Sequence, residues 1–311
     1  MTLRLTPRQQ EDDEEFRRRL RPFDLDEFTQ EPFTCLIYGT PRSGKSYLLR
    51  WLLSQISRSY KVVYVFSISS DAIGYYGEVG IDSDHVLPGF DNAKSRHLLE
   101  HMIKAANSVV ARFNKQGFRV PVHKILPRTL IICDDIISPG GEQRSNGVLN
   151  SLVTNYRHLN MSLILTTQYV NSVSKVMRET VDRHILFKHE SKTALDYFAA
   201  SCFAWAHWKP SVQYIISRYT GEHHCIIVNK HDETTSYSVF KAPSKNESNP
   251  LVQSKLINDR WGHESETASH YAGDEEFSRG GGASEYEAIC GPDEAGRADA
   301  DDCWGGDIVM S

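Results

Sequence analysis

The chain has 311 residues, of which 40% are apolar and 24% charged, a composition typical of a soluble globular protein with a sizeable core. No stretch approaches the roughly 18 consecutive apolar residues of a membrane span, and the first residues lack the apolar region of a secretory signal. Six scattered cysteines without a CxxC pair favour a reducing, intracellular environment, and we expect no membrane partner. The formal charge of −5 is divided unevenly, because residues 262–311 carry 13 Asp and Glu against two Arg. Residues 1–261 carry 33 Lys and Arg against 27 Asp and Glu, so a mildly basic body, which suits a polyanionic partner, precedes an acidic tail.

The predicted elements follow the spacing of apolar residues along the chain. A charged run at 8–21 is interpreted as a solvated N-terminal helix, with an inter-subunit contact as the alternative. Apolar, β-branched runs predict strands at 33–38, 61–66, 129–133, 161–166 and 184–187, and a hairpin from 224–228 and 236–240. Apolar residues three and four apart predict helices at 47–56, 98–113, 145–156 and 173–180, whereas 67–92 is predicted to be irregular.

Alternation of strands and helices predicts the α/β class, with a mainly parallel sheet covered by helices on both faces. We therefore expect a charged N-terminal segment at 1–30 and one α/β domain at 31–242. Residues 243–311 are expected to form a linker and an acidic tail that is disordered, because they offer little apolar surface to bury.

The clearest motif is the segment GTPRSGKS at 39–46, a full match to GxxxxGK[ST] between a predicted strand and a predicted helix. In such a loop, backbone N–H groups and the helix N-terminus surround phosphate oxygens. Lys45 is expected to contact the β- and γ-phosphates of a nucleotide, and the Ser46 hydroxyl to bind Mg²⁺. The residues predicted to contact the nucleotide are Gly39, Thr40, Pro41, Arg42, Ser43, Gly44, Lys45, Ser46 and Tyr47.

Polar residues also end two later strands. Asp134 and Asp135 follow the apolar run at 129–133, as in a Walker B motif, in which a buried strand presents a carboxylate to the metal. Asp134 is the expected Mg²⁺ partner, and Asp135 stands where many ATPases have a glutamate that polarises the attacking water. Gln168 ends the next strand, where its amide could contact both a γ-phosphate and water, as a sensor does.

The order of these motifs, with Arg157-His158 before the strand that ends in Thr167-Gln168, resembles a known family. It is similar to the genome-packaging ATPases of large DNA viruses and virophages, the poxvirus type, within the FtsK/HerA lineage of DNA-translocating motors. The resemblance covers roughly residues 33–240. Asp135 in place of the more common glutamate, and the long acidic tail, depart from the commonest pattern of the lineage.

The resemblance implies a P-loop NTPase of the additional-strand (ASCE) type, in which an extra strand separates the P-loop strand from the Walker B strand. It also implies an ATP- and Mg²⁺-dependent motor that works as a homo-oligomeric ring, commonly a hexamer, on double-stranded DNA. The packaging branch fills a preformed capsid, so capsid proteins are a further class of partner and the host cytoplasm, nucleus or virion the expected location. Arg157 is the candidate arginine finger that would reach the γ-phosphate of the neighbouring subunit, and a helix-end arginine is the alternative.

A GTP-dependent switch is the main alternative, because Asn229-Lys230-His231-Asp232 matches the NKxD motif that selects guanine. The segment after Asp134 contains no DxxG, however, and we interpret the four residues as a hairpin turn. A small-molecule kinase is a third possibility, which the lack of an arginine-rich lid disfavours.

Overall fold

One sheet of eight strands forms the centre of the described structure. The computed structural model describes residues 6–69, 71–89, 93–117, 121–135, 147–206, 209–230 and 235–243. The strands are β1 (Thr34–Tyr38), β2 (Val62–Ser67), β3 (Val86–Pro88), β4 (Thr129–Asp134), β5 (Met161–Thr167), β6 (Arg183–Leu186), β7 (His224–Asn229) and β8 (Ser236–Lys241). Their order across the sheet is β3-β2-β4-β5-β1-β6-β7-β8.

The strand pairing confirms the predicted α/β class with a mainly parallel sheet. Strands β1 to β6 pair in parallel, and only β7 and β8 are antiparallel to their neighbours. Because β5 lies between β1 and β4, the P-loop strand is separated from the Walker B strand by one additional strand, as the resemblance implied. The C-terminal hairpin is also confirmed, as β7 and β8.

Helices cover both faces of this sheet. They are α1 (Pro7–Arg18), α2 (Lys45–Ile56), α3 (Ala72–Gly77), α4 (Ala93–Lys115), α5 (Val122–Ile125), α6 (Gly147–Asn155), α7 (Lys175–Thr180), α8 (Lys192–Ser201) and α9 (Lys209–Tyr219). The strands β1, β4 and β5 are buried along almost their whole length. Alternate residues of β1 face opposite layers: Ile37 belongs to the cluster that contains Leu49 of α2, and the Tyr38 ring packs edge-on to Phe198 of α8.

The N-terminal helix differs from the solvated helix that its charge predicts. Phe16 is fully buried, with its ring 4.9 Å from Tyr219 of α9 and 5.3 Å from Tyr237 of β8. Asp13 is also buried, and it accepts a hydrogen bond from Arg17 and one from Tyr219. The helix α1 therefore docks on the chain through Phe16 and the buried Asp13, although most of its residues are polar or charged.

Several expectations concern residues 244–311 and 136–146, which lie outside the described residues, among them the acidic tail and the predicted helix start at Ser145. Residues 67–92, predicted to be irregular, contain α3 and β3 in the structure. Helices α8 and α9 were not predicted either. The four cysteines within the described ranges, Cys35, Cys133, Cys202 and Cys225, are buried and free. In the part of the chain that the structure describes, no helix is both long and apolar enough to span a bilayer.

Candidate functional site

The loop of residues 39–46 connects β1 to α2 and depends on its two glycines. Gly44 has a φ of 111°, a left-handed angle that residues with a side chain rarely adopt. A Cβ on Gly39 would lie only 2.8 Å from the Cβ of Phe187, so a larger residue does not fit without movement. The loop backbone can therefore curl tightly just before the first turn of α2, which supplies the positive end of a helix dipole.

Lys45 is held inside this loop. Its Nζ donates to the backbone oxygens of Gly39, at 2.7 Å, and Thr40, at 3.0 Å, and the residue is only 9% exposed. Burial lowers the pKa of Lys45, whereas the nearby carboxylates of Asp135 and Asp134 raise it. The ammonium group thus lies between the curled loop and two acids, which is where a bound phosphate would need a positive charge.

Asp134, at the end of β4, is fixed by two hydroxyl groups from different elements. Thr166 of β5 donates to its Oδ1 at 2.7 Å, and Tyr76 of α3 donates to its Oδ2 at 2.6 Å. The pKa of Tyr76 lies well above its ordinary value, because the ring is buried and faces this carboxylate. Tyr76 therefore keeps its proton and remains a hydrogen-bond donor to Asp134.

Asp135 and Gln168, predicted separately, lie in direct contact. The Gln168 Nε2 atom donates to both carboxylate oxygens of Asp135, at 3.1 and 3.3 Å. Burial raises the pKa of Asp135; the Gln168 hydrogen bond lowers it, Asp134 raises it, and Lys45 lowers it. Asp135 also has a left-handed φ of 54°, held by a 2.6 Å hydrogen bond from its backbone N–H to the Thr166 hydroxyl.

Four further side chains contact this site and were not identified from the sequence. Tyr75 and Tyr76 lie on α3, in the region predicted to be irregular, and Tyr75 donates to the backbone oxygen of Ser46. The Nδ1 atom of His223 lies 3.2 Å from the Ser43 oxygen, and the Nε2 atom of His189 lies 3.2 Å from the Gln168 oxygen. No local motif marks these residues, because each reaches the loop or the strand ends through the tertiary fold.

Arg157 lies at the other edge of the sheet, in the turn that precedes β5. Its Nη2 donates to Asp182 Oδ1 at 3.1 Å, and its Nε donates to the Tyr156 hydroxyl at 2.7 Å. Asp182 is only 8% exposed and also accepts from the backbone and hydroxyl of Thr34, whereas Arg157 is 54% exposed. The structure therefore does not bring Arg157 to the nucleotide loop of its own chain.

The guanine-type motif also lies away from the loop. Asn229 pairs with Arg183 at the amino end of β6, whereas the loop follows the carboxyl end of β1. The Asn229 amide donates to Glu27 Oε2 at 2.9 Å, and His231 and Asp232 lie outside the described residues. Asn229 is thus on the opposite edge of the sheet from the phosphate-binding loop, and it contributes to a structural contact.

Three features define a P-loop ATPase of the additional-strand type. They are a phosphate-binding loop after β1, paired acids at the end of β4, and an intervening strand β5 that leads into Gln168. The sequence matches the family described as Poxvirus A32 protein over residues 20–204, more than half of the chain. The chain belongs to this family, which confirms the resemblance to viral genome-packaging ATPases.

Viral proteins and ATPase structures are among the relatives. The uncharacterized protein 015R of Frog virus 3 (isolate Goorha) is 23% identical over 214 residues, which cover 67% of this chain but only 61% of that protein. The uncharacterized protein 088R of Invertebrate iridescent virus 3 is 22% identical, over 74% of this chain and 87% of that protein.

Two solved structures are among those similar to this chain. The genome packaging NTPase B204 of Sulfolobus turreted icosahedral virus 2, in complex with AMPPCP, is 17% identical, with a TM-score of 0.43 over 66% of this chain and 96% of that chain. The pCW3 conjugation coupling protein TcpA, with ATPgS, is 13% identical, with a TM-score of 0.51 over 77% of this chain and 74% of that chain.

Proposed function

We propose that this ATPase is a motor that uses ATP hydrolysis to move double-stranded DNA, and that it packages a viral genome into a preformed capsid. The observation that carries the proposal is the convergence of Lys45, Asp134, Asp135 and Gln168 at the carboxyl edge of one parallel sheet. Membership of the Poxvirus A32 protein family supports the packaging role.

The residues at this edge fit Mg²⁺ as well as a nucleotide. Asp134 and the Ser46 hydroxyl provide the oxygen ligands that Mg²⁺ prefers. Within the described ranges, no group of three or more His, Cys, Asp or Glu side chains could hold a metal alone. Mg²⁺ usually takes its other ligands from water and from nucleotide phosphates. The ion would supply positive charge to the β- and γ-phosphates.

Hydrolysis then needs a base, a sensor and positive charge, and the chain provides each. Asp135 would accept a proton from water as the water oxygen bonds to the γ-phosphorus and the bond to the bridging oxygen breaks, leaving ADP and phosphate. The raised pKa of Asp135 suits this task, because a stronger base accepts a proton more readily. Gln168 holds the Asp135 carboxylate and would report whether the γ-phosphate is present, while Lys45 would turn from its loop carbonyls to the phosphates.

We further propose that the subunits form a ring in which Arg157 acts on the nucleotide of the adjacent subunit. Arg157 is half exposed and lies away from the phosphate-binding loop of its own chain, so any catalytic contact would have to be made across an interface. An arginine supplied from a neighbour would offset the charge that develops during hydrolysis. Such an arrangement makes hydrolysis depend on assembly.

The test is the turnover of ATP and of GTP by the full chain, each measured with and without duplex DNA. We expect ATP to be hydrolysed in preference to GTP, and duplex DNA to raise the rate, because a translocase couples the two activities. A rate that duplex DNA leaves unchanged under all assembly conditions would contradict the motor. Hydrolysis of GTP alone would instead support the nucleotide switch.

A further inference from the structure

The short helix α3 contacts both residues that are proposed to hold Mg²⁺. Tyr76 donates to Oδ2 of Asp134 at 2.6 Å, and Tyr75 donates to the backbone oxygen of Ser46. The two tyrosines are consecutive in the sequence, and their rings pack edge-on with centroids 5.1 Å apart. A single pair of neighbouring side chains therefore links the end of β4 to the first turn of α2.

Helix α3 depends on tertiary contacts for its position. It has six residues, two of them glycine, and a helix so short and so rich in glycine is not stable alone. Tyr76 is 1% exposed and belongs to the same core cluster as the buried leucines of α2. Arg50 of α2 lies over the Tyr75 ring, 5.4 Å from its centroid, and pairs with Glu78 just after α3. The core and α2 thus fix α3, and α3 presents its two hydroxyl groups to the site.

The partner of Tyr76 differs from that of another tyrosine in the same cluster. Tyr60 donates to the backbone oxygen of Phe28 at 2.9 Å and to the Ser162 hydroxyl at 3.1 Å, which are neutral acceptors. Tyr76 instead donates to a carboxylate, at a length typical of a charge-assisted O–H···O⁻ bond. The core can therefore satisfy a buried tyrosine hydroxyl without an acid, and the bond from Tyr76 acts on the geometry of Asp134.

Two hydroxyl groups together fix the orientation of the Asp134 carboxylate. Thr166 donates to Oδ1 at 2.7 Å and Tyr76 to Oδ2 at 2.6 Å, so rotation of the carboxylate breaks at least one of these bonds. Each carboxylate oxygen has about two acceptor positions, so each keeps one for a metal ion or for its water. Without the Tyr76 hydroxyl, the carboxylate is held at one oxygen only and can turn about that bond.

We propose that Tyr76 is a positioning residue of the magnesium site, which holds Asp134 in the orientation that Mg²⁺ requires. Tyr75 is the second anchor, because it fixes the same helix to the turn that carries Ser46. The inference rests on the proposed function, which supplies the nucleotide and the ion. Tyr76 acts through Asp134, and we assign it no contact with the reacting atoms. Residues that orient a metal ligand in this way typically change metal affinity or activity about 10- to 100-fold when they are replaced.

The experiment measures the affinity of the full chain for ATPγS by calorimetry, over a series of Mg²⁺ concentrations and again in EDTA. In EDTA the metal is absent, so the affinity reports on the phosphate-binding loop without the ion. Tyr76→Phe removes the hydroxyl and keeps the ring. We expect it to raise the Mg²⁺ concentration at half-saturation at least about tenfold, while the affinity in EDTA stays native. ATP turnover should fall at low Mg²⁺ and recover as Mg²⁺ saturates.

Tyr60→Phe is the matched control, because it also removes a buried, hydrogen-bonded hydroxyl from the same core cluster. Denaturant unfolding of both variants compares their loss of stability, and we expect native Mg²⁺ dependence in Tyr60→Phe. Tyr75→Phe is a second test of the helix. It should shift the half-saturation point in the same direction but by less, because the bond that it removes has a neutral acceptor.

Several results would overturn the positioning role alone. They are native half-saturation in Tyr76→Phe, an equal shift in Tyr60→Phe, or an equal loss of affinity in EDTA, which would mean that the hydroxyl supports the fold and not the metal. A native chain whose affinity for ATPγS and whose turnover do not depend on Mg²⁺ would instead contradict the proposed magnesium site itself. The two failures are therefore distinguishable.

Discussion

The two edges of the sheet are built in opposite ways. At the carboxyl edge, both acids have fixed partners: Asp134 is held by Thr166 and Tyr76, and Asp135 by Gln168. At the amino edge, charged side chains of both signs in the segments before β1, β2, β3 and β4 are mostly exposed to solvent. Chemistry on a phosphate needs polar atoms in fixed positions, whereas charges that face solvent need no such order. The comparison therefore separates an edge with ordered polar contacts from an edge whose charges are mainly solvated.

The Asp182 network is an exception at the amino edge, because it is buried and fully bonded. Its carboxylate joins the start of β1, through Thr34, to Tyr156 and Arg157 in the turn before β5. A buried carboxylate with this many donors is a structural feature, since burial of an unpaired charge is costly. Arg157 therefore has a role within its own subunit in addition to the proposed action on a neighbour.

Among the variants that test the difference between the two edges, Arg157→Ala is expected to have the largest effect on ATP turnover. As the proposed finger, Arg157 is needed for turnover in the assembled ring, so hydrolysis should be lost while nucleotide binding remains. The free energy of unfolding should also fall by about 1–2 kcal/mol, less than the roughly 3–5 for a fully buried pair, because Arg157 is half exposed. Turnover, nucleotide binding and denaturant unfolding would be measured on the same preparation.

Tyr156→Phe is the matched control for that experiment. It removes the 2.6 Å hydrogen bond from the Tyr156 hydroxyl to Asp182 and the acceptor of the Arg157 Nε–H, but it keeps the guanidinium and its contact with Asp182. We expect reduced stability with turnover retained. Equal loss of turnover in both variants would show that Arg157 acts only through the fold, and the finger would be abandoned.

A smaller effect, on the other edge, is expected from Gln168→Ala. A base must be unprotonated, so turnover should decline as the pH falls through the pKa of Asp135, which burial already raises. The Gln168 hydrogen bond lowers that pKa, so its removal should raise the pKa further and move the acidic limb to higher pH. The pH dependence of turnover measures the shift directly.

Gln55→Ala is the control, because Gln55 is exposed on α2. Its amide donates to the hydroxyl of the neighbouring Ser54. Its acidic limb should coincide with that of the native chain. A limb that stays in place in Gln168→Ala would mean that Asp135 is not the group that titrates, and the base would have to be sought elsewhere.

The sequence predicted most of the residues at the carboxyl edge, but it predicted none of the tyrosine and histidine side chains that contact them. The loop at 39–46 and the acids after β4 follow from local rules, because phosphate-binding loops and buried strands have characteristic patterns. Tyr75 and Tyr76 could not be predicted in the same way, since their short helix has no apolar periodicity long enough to recognise. His189 and His223 contact residues that lie 21 and 180 positions away in the sequence, and no local pattern encodes such contacts.

The amino edge shows the reverse. Its cations were visible in the sequence as single residues, but they are spread over about a hundred positions and formed no charge run. Only the sheet order, with β2, β4 and β5 adjacent, brings their preceding segments together. The helical charge of α1 was conspicuous in the sequence, yet the structure docks that helix through Phe16. Local patterns therefore predicted the residues of the site, and topology decided which side chains become neighbours.

The most direct test of the account is ATP turnover by the full chain carrying Lys45→Ala, compared with Lys188→Ala. Both changes remove one lysine, but Lys45 is buried in the loop at 39–46, whereas Lys188 is 55% exposed and pairs with Glu190. We predict that Lys45→Ala lowers turnover at least about 100-fold, because a fixed positive charge at the phosphates is lost, and that Lys188→Ala keeps the native rate. Native turnover in the Lys45→Ala chain would contradict the placement of ATP at the carboxyl edge of the sheet.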